Sequence, residues 1–568
     1  MGRSAYPLPA GPGRLALSAV PPRSLGLLAA VATGQAAATT AVALVIGWSF
    51  DRLLLAETST PGLAPWLPVV LFVALAVVAG LLRAGERVLS ERCGQSAAHG
   101  LRLRLWDHLQ DLPADAVRGE RHGAVMLRFL GDLTSLRVWV SRGFVGGVVA
   151  LATLLGGLSA LLWLDVPMAI AVGLCILATL MAQTALGPTL QQKQKDLRRA
   201  RTRLAIDVME RVEALGVVQS FGQQRRERRR VRSRSDELRA RAESFARVSG
   251  ANLGLSDGAS LLMAGVVFAI ALRGGALGPT PGDLAAGLVL VRLLGRPVRL
   301  LARVQERWHR MVVAEQKIRT FLELEPQLRD NEGARRLPLG SGTVKFRSVS
   351  VEDALEDVSA VAPAGSLVRI EGANGAGKST LLQILAALRR PDSGRAVVDG
   401  RDLARCRLGS LRREVGVVSA DLPLMRGTVR RNLLYRKPQA SPAELEEIIE
   451  RLDLQPLIDR LPAGLRTRVA EGGKNLSSGE RQRLQMARAA LASPRVLILD
   501  EPDAHLDSGS RVVLRRFLED YPGTVLVVWH GQDPPRADRV WHLDQGRLIR
   551  RRRPKASKLR LANAGDVP

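Results

Sequence analysis

Cysteine is scarce. Cys93, Cys175 and Cys406 are the three in 568 residues, far apart and in no CxxC or metal-ligand spacing. Neither a disulfide framework nor a zinc site is indicated, and the thiols read as ordinary ones in a reduced compartment. Aromatic residues make up 4% of the chain, and acids are outnumbered, 54 Asp and Glu against 82 Lys and Arg, for a formal net charge of +28. A balance this basic points to nucleic acid, anionic lipid, or loops retained on the cytoplasmic side of a membrane. At 568 residues the chain is too long for one ordinary core and implies about three or four domain-sized units.

Apolar residues are plentiful and come in long runs. Leu25 to Phe50, Leu63 to Leu82 and Phe144 to Leu164 are each apolar over the roughly 20 residues needed to cross a bilayer. The third run is followed at once by Asp165-Val166-Pro167 and a fourth from Met168 to Leu186, which predicts two antiparallel spans joined by a very short turn. Weaker runs at Leu253 to Leu272 and Leu284 to Leu301 bring the total to about six. So many in succession favour membrane spans over buried helices of a soluble protein. They also count against a nucleic-acid partner, despite the charge.

Between the second and third runs, and between the fourth and fifth, lie long polar stretches crowded with arginine, such as "QQKQKDLRRARTRLAIDVMERVEALGVVQSFGQQRRERRRVRSRSDEL". The positive-inside rule makes these cytoplasmic, which places both termini in the cytosol of a multi-pass protein, expected in the bacterial inner membrane. Their helical spacing of Leu, Val and Ala predicts membrane helices prolonged into the cytosol, with the arginines on solvated faces. Residues 1–24 read as a cytosolic leader, with an organellar transit peptide as the alternative.

Composition changes across a polar linker, 323–342, and from Thr343 to about residue 549 no run is long enough to span a membrane. A soluble domain is expected there, followed by a basic tail, 550–568. "SLVRIEG" reads as a strand, "TLLQILAAL" as a helix, and between them Gly372, Gly377, Lys378 and Ser379 form the Gly-x4-Gly-Lys-Ser pattern. This is the order a P-loop needs: backbone N–H groups wrap phosphates, Lys378 meets the β/γ oxygens and Ser379 ligates Mg²⁺. A second strand, "RVLILDEPD", ends in Asp500, suited to Mg²⁺, and Glu501, suited to act as general base for an attacking water. A third, "GTVLVVWH", delivers His530 to the same edge. In "NLSSGERQRLQMARAAL" a Ser-Ser-Gly turn opens a helix whose N–H groups could receive a second anion.

On these motifs the sequence resembles an ATP-binding cassette exporter half-transporter: an α-helical domain of six transmembrane helices (25–322) joined to an α/β P-loop NTPase cassette (343–549). The resemblance implies ATP and Mg²⁺ as cofactors and a second half-transporter as partner, identical or related. ATP would lie between one chain's P-loop (Gly372, Asn374, Gly375, Ala376, Gly377, Lys378, Ser379, Thr380) and the other's signature (Ser477, Ser478, Gly479, Glu480) and Asp507 of the D-loop. Metal contacts would come from Ser379 and Asp500, and catalysis from Glu501, His530 and Lys378. "TRVAEGG" resembles the exporter X-loop, and "RHGAVMLRF" and "LGVVQSFGQQ" fall where coupling helices dock. Three positions depart from the family: Asp353 where an aromatic stacks on adenine, Ala420 where the Q-loop glutamine stands, and Ser478 for the first signature glycine. Hydrolysis is expected to survive, slower or less tightly coupled; the alternative is a regulatory or degenerate half of a heterodimer.

Arg292, Arg296, Arg299, Arg303 and Arg307 recur at steps of four or three, which puts them along one helical face. Two readings stand: arginines snorkelling to lipid phosphates, or a cavity-facing stripe for an anionic substrate with Asp257 as partner.

Overall fold

A computed structural model describes residues 11, 13–18, 20–54, 66–113, 122–272, 279–331, 333–504, 506–531 and 533–552. Much of the leader, the connections 55–65 and 273–278, and the tail from 553 onward lie outside the described residues. The chain divides into two compact units: Met1–Asp107 with Arg121–Leu324, and His108–Glu120 with Glu325–Pro568.

The first unit is helical. Its long helices are α1 (Pro22–Leu54), α2 (Leu67–Asp111), α3 (Val125–Leu164), α4 (Val166–Glu213), α6 (Gln224–Ala271) and α7 (Pro281–Leu322), with the short α5 (Leu215–Ser220) between α4 and α6. Among the described residues five of them, α1 to α4 and α6, are long and apolar enough to cross a membrane. The predicted sixth span forms as α7, but Arg292, Arg296 and Arg299 interrupt its apolar stretch and take it out of that group. α4 and α6 are 48 residues each, about 72 Å of helix against a hydrocarbon core of about 30 Å. The arginine-rich stretches are therefore continuations of the membrane helices.

The short turn is as expected: Asp165 alone separates α3 from α4, in extended conformation, and its carboxylate caps α4 by accepting from the Met168 N–H at 2.7 Å. Leu161, Met168, Val172, Val267, Leu290 and Leu294 pack as a buried cluster. In α3 the regular helix is interrupted by π-type turns at Arg128–Asp132 and Trp139–Phe144, and Trp139 packs edge-on against Trp308 of α7 at 5.0 Å between ring centroids.

The second unit holds two main sheets. Strands β1 (Val344–Val351), β2 (Leu355–Ala362), β4 (Ser393–Val398) and β5 (Arg401–Asp402) form an antiparallel sheet in the order β2-β1-β4-β5. The other has the order β12-β11-β3-β10-β9-β6, from β3 (Leu367–Glu371), β6 (Val415–Val418), β9 (Val496–Asp500), β10 (Thr524–Val528), β11 (Arg539–Asp544) and β12 (Arg547–Arg552). It is parallel except at its β12 edge. A small pair, β7 (Gly427–Thr428) and β8 (Arg468–Val469), completes the strands described. Every residue of β10 is buried and β9 is buried up to Asp500, the near-continuous apolar pattern of parallel strands covered on both faces. Register sets Val528 level with both Asp500 and Ile370, so the residues just beyond β3, β9 and β10 leave the sheet along one edge.

Candidate nucleotide site

That edge carries the predicted P-loop, Asp500, Glu501 and His530. β3 runs into the loop 372–377 and helix α8 (Lys378–Leu385), anchored by buried Leu381, Leu382 and Leu385. Gly372 (φ 149°) and Gly377 (φ 92°) sit where other residues are strained, and a Cβ would lie 2.2 Å from the Leu543 carbonyl oxygen at Gly372 and 2.4 Å from that of Ala354 at Gly377. Asn374 and Gly375 are exposed at the loop tip, Ala376 is buried, and Ser379 and Thr380 open the helix. Lys378 is 6% exposed; its Nζ donates to the carbonyls of Gly372 at 2.8 Å and Ala373 at 2.9 Å, arching over the loop.

Asp500 ends β9 with Oδ1 buried and, among the described residues, without a partner. Burial pushes its carboxyl above the ordinary range, with the Glu501 and Asp421 charges adding to the rise; the Ser379 hydroxyl and Lys378 pull the other way. An orphaned, buried carboxylate oxygen beside the helix-opening serine fits a divalent cation, and the left-handed glycines of the loop fit a phosphate chain. Glu501 has a left-handed backbone, φ 52°, held by its N–H on the Val528 carbonyl at 3.2 Å. Its Oε1 lies 3.0 Å from His530 Nε2.

Two groups here were not foreseen. Asp503, 5% exposed, accepts the N–H groups of His530 at 3.3 Å and Gly531 at 2.5 Å, which fixes the turn carrying the imidazole. Gln482 donates to the Glu501 carbonyl at 3.1 Å. In the sequence Asp503 is one more acid in a polar turn, and its partners 27 and 28 positions away leave no local signal. The charge of Asp421, next to the glutamine-less Ala420, contributes to the rise of the Asp500 carboxyl.

The signature residues open helix α9 (Ser478–Ala490) as a capping box. Ser477 accepts from the Glu480 N–H at 3.2 Å, and the Glu480 carboxylate accepts the Ser477 N–H at 2.8 Å. Asp507 precedes helix α10 (Ser508–Glu519), and hydrogen bonding from Ser510 holds its carboxyl below the usual range. Asp353 is exposed in the β1–β2 turn at φ 58°. In the first unit the arginine stripe divides: Arg296 and Arg307 line one cavity, Arg299 and Arg303 another, Arg292 is exposed and lines neither, and Arg299 pairs with Asp257 at 3.1 Å.

A P-loop site at the carboxyl edge of a parallel sheet, in a chain that also carries a membrane-spanning helical unit, defines an ATPase coupled to transport. The chain belongs to the ABC transporters: residues 25–298 match the ABC transporter transmembrane region and residues 355–504 the ABC transporter cassette. It is 28% identical over 513 residues to a multidrug efflux ATP-binding/permease protein of Mycobacterium bovis, covering 86% of this chain and 41% of that one. It is also 28% identical over 510 residues to an ATP-dependent lipid A-core flippase of Chromobacterium violaceum, covering 87% and 86% respectively. The solved structure of a bacterial Atm1-family ABC exporter with ATP bound superposes with a TM-score of 0.77 over 93% of this chain and 95% of that one, at 23% identity. The fold is that of an exporter.

Proposed function

We propose that this chain is one half of a dimeric exporter of the bacterial inner membrane, with both termini cytoplasmic, and that it closes on ATP between the P-loop of one half and the signature of the other. Support for the pairing is that the Mycobacterium relative, of which this chain spans 41%, has room for two such halves. Lys378 holds the β/γ-phosphates; Ser379 and Asp500 hold Mg²⁺, which neutralises charge on the phosphates when bound. Glu501 orients the attacking water and takes its proton. His530, fixed by Asp503, keeps Glu501 in place.

The observation that carries this reading is the convergence of Lys378, the unpartnered Asp500 oxygen and the Glu501–His530 contact at 3.0 Å on one sheet edge. The two transporters named above move different cargoes, so the cargo here is not taken from either. The test is Glu501→Gln in the full chain in vesicles: ATP binding is retained while Mg²⁺-dependent turnover falls at least about a hundredfold. Near-normal hydrolysis would move the base elsewhere, with His530 the first candidate.

A further inference from the structure

Within the membrane unit, α1, α2, α3 and α7 enclose a cavity of about 330 Å³, at the low end of small-ligand sites. Its lining is divided. Arg83, Arg87, Arg142, Arg296 and Arg307 contribute five positive charges against one carboxylate, Glu86. The remainder mixes the polar Gln35, Thr39, Ser141 and Thr153 with apolar residues, among them Val149 of α3 and Leu293, Pro297 and Leu300 of α7.

Two residues of the lining each carry a buried polar atom with no partner among the described residues, the Ser141 hydroxyl and Gln35 Oε1, in residues 3% and 7% exposed. Burying an unsatisfied polar atom is costly, so a ligand that satisfies both is favoured over an empty wall. Ser141 and Arg142 reach the cavity from the π-type turn Trp139–Phe144, a distortion that in helices commonly marks functional sites.

From this lining we infer that the cavity binds the head of an amphiphilic anion: a phosphate, sulfonate or carboxylate against the arginines and Ser141, a hydroxyl or N–H donor to Gln35, and an apolar body along α3 and α7. The inference rests on the transport reading for its purpose, since it names the class of cargo, and on the cavity alone for its chemistry. The volume admits a head and the start of an apolar body, so the source is a membrane lipid's headgroup or a free organic anion.

The test uses the full chain in phosphatidylcholine nanodiscs without nucleotide, titrated with anilinonaphthalene sulfonate and with its uncharged relative N-phenyl-1-naphthylamine. Arg142→Gln with Arg296→Gln should weaken the sulfonate at least about tenfold and the neutral amine no more than about twofold, since only charge-assisted contacts are lost. Arg142→Lys with Arg296→Lys should restore most of the sulfonate affinity, and Ser141→Ala, the mildest change, should weaken it several-fold. In the lipid arm the chain is extracted from vesicles of equal phosphatidylglycerol and phosphatidylcholine, and the retained lipid is counted by mass spectrometry. Loss of phosphatidylglycerol enrichment in the glutamine variant identifies a headgroup, and loss confined to the sulfonate identifies a free anion. No change in either arm, or an equal fall for both dyes, overturns the inference. Mg²⁺-dependent ATPase of the unaltered chain in the same discs is read separately: its absence sinks the transport reading and leaves anion binding standing.

Discussion

At the scale of the residue, Asp500 carries a conflict that can be measured. Its carboxyl is pushed up mainly by burial, so the folded chain keeps the proton to higher pH than the unfolded chain does. Stability from this group therefore falls as pH rises from the ordinary aspartate range to the raised value, and the cost is complete above it. Asp500→Asn should melt higher than the parent at neutral pH without Mg²⁺, with the difference vanishing in acid below the ordinary aspartate range, while Mg²⁺ no longer stabilises the nucleotide complex. Scanning calorimetry across pH checks this, and equal melting at neutral pH would mean that burial costs the carboxylate nothing. Asp353 is a second residue-scale case. In the proposed site position 353 has no aromatic to stack on the base, so phosphate contacts should dominate affinity and ATP and GTP should turn over at comparable rates. A tyrosine at φ 58° has to accept a left-handed backbone at about 1–2 kcal/mol, close to the roughly 1–3 kcal/mol that stacking on a base returns. Asp353→Tyr should consequently sharpen ATP over GTP while ATP affinity changes by less than about tenfold; competition binding with both nucleotides reads it, and unchanged selectivity would remove position 353 from the base site.

At the scale of the element, what could be read in the sequence was what local spacing encodes. Strand, glycine loop and helix lie within 367–385, so the P-loop was legible outright, and Asp165-Val166-Pro167 announced the α3–α4 turn. The sheet order β12-β11-β3-β10-β9-β6 was not, because nothing near a strand says which strand pairs with it. Asp503 stayed hidden for the same reason. The Ser477–Glu480 pair has a role in α9 apart from any ligand, although Ser-x-x-Glu is a local pattern and could have been read as a cap. Ser477→Ala should cost about 1 kcal/mol of stability, seen as a lower denaturation midpoint, whereas Asp503→Asn should act through the His530 turn. For Asp503→Asn the expected outcome is a clear fall in kcat with nucleotide affinity nearly unchanged, and a parallel loss of both would make Asp503 a general support of the fold. The sixth span shows the converse limit: the helix was legible from its pattern, while four of the five arginines read as one stripe divide between two cavities and the fifth, Arg292, is exposed and lines neither.

At the scale of the whole molecule, the reading proposed above makes the start of α9 a second anion cradle beside the P-loop, and the question is what would fill it. In each chain Ser477 and Glu480 satisfy one another, and Gln482 reaches the backbone of Glu501, so α9 is integrated into its own cassette without needing its own P-loop. The proposed head-to-tail pair would give that cradle an occupant, because each site would then take one P-loop from one copy and one signature from the other. This arrangement makes a prediction that single-chain catalysis cannot imitate. Lys378→Ala removes the phosphate charge, and Gly479→Asp places a carboxylate against the second cradle, so either variant alone should lose nearly all ATPase activity. Coexpressed, half of randomly assembled dimers combine the two. In those, one site has both defects, while the other joins the intact P-loop of the Gly479→Asp chain to the intact signature of the Lys378→Ala chain. If sites act independently, activity should recover to roughly a quarter of the unaltered level; with the two chains differently tagged, tandem purification should enrich the recovered fraction. Activity that stays at the level of the single variants, in a preparation shown by the tags to contain mixed dimers, would mean that ATP is held within one chain or that both sites must fire together. Stabilisation by ATP separates those two outcomes, since a shared site protects the mixed dimer even where turnover is lost.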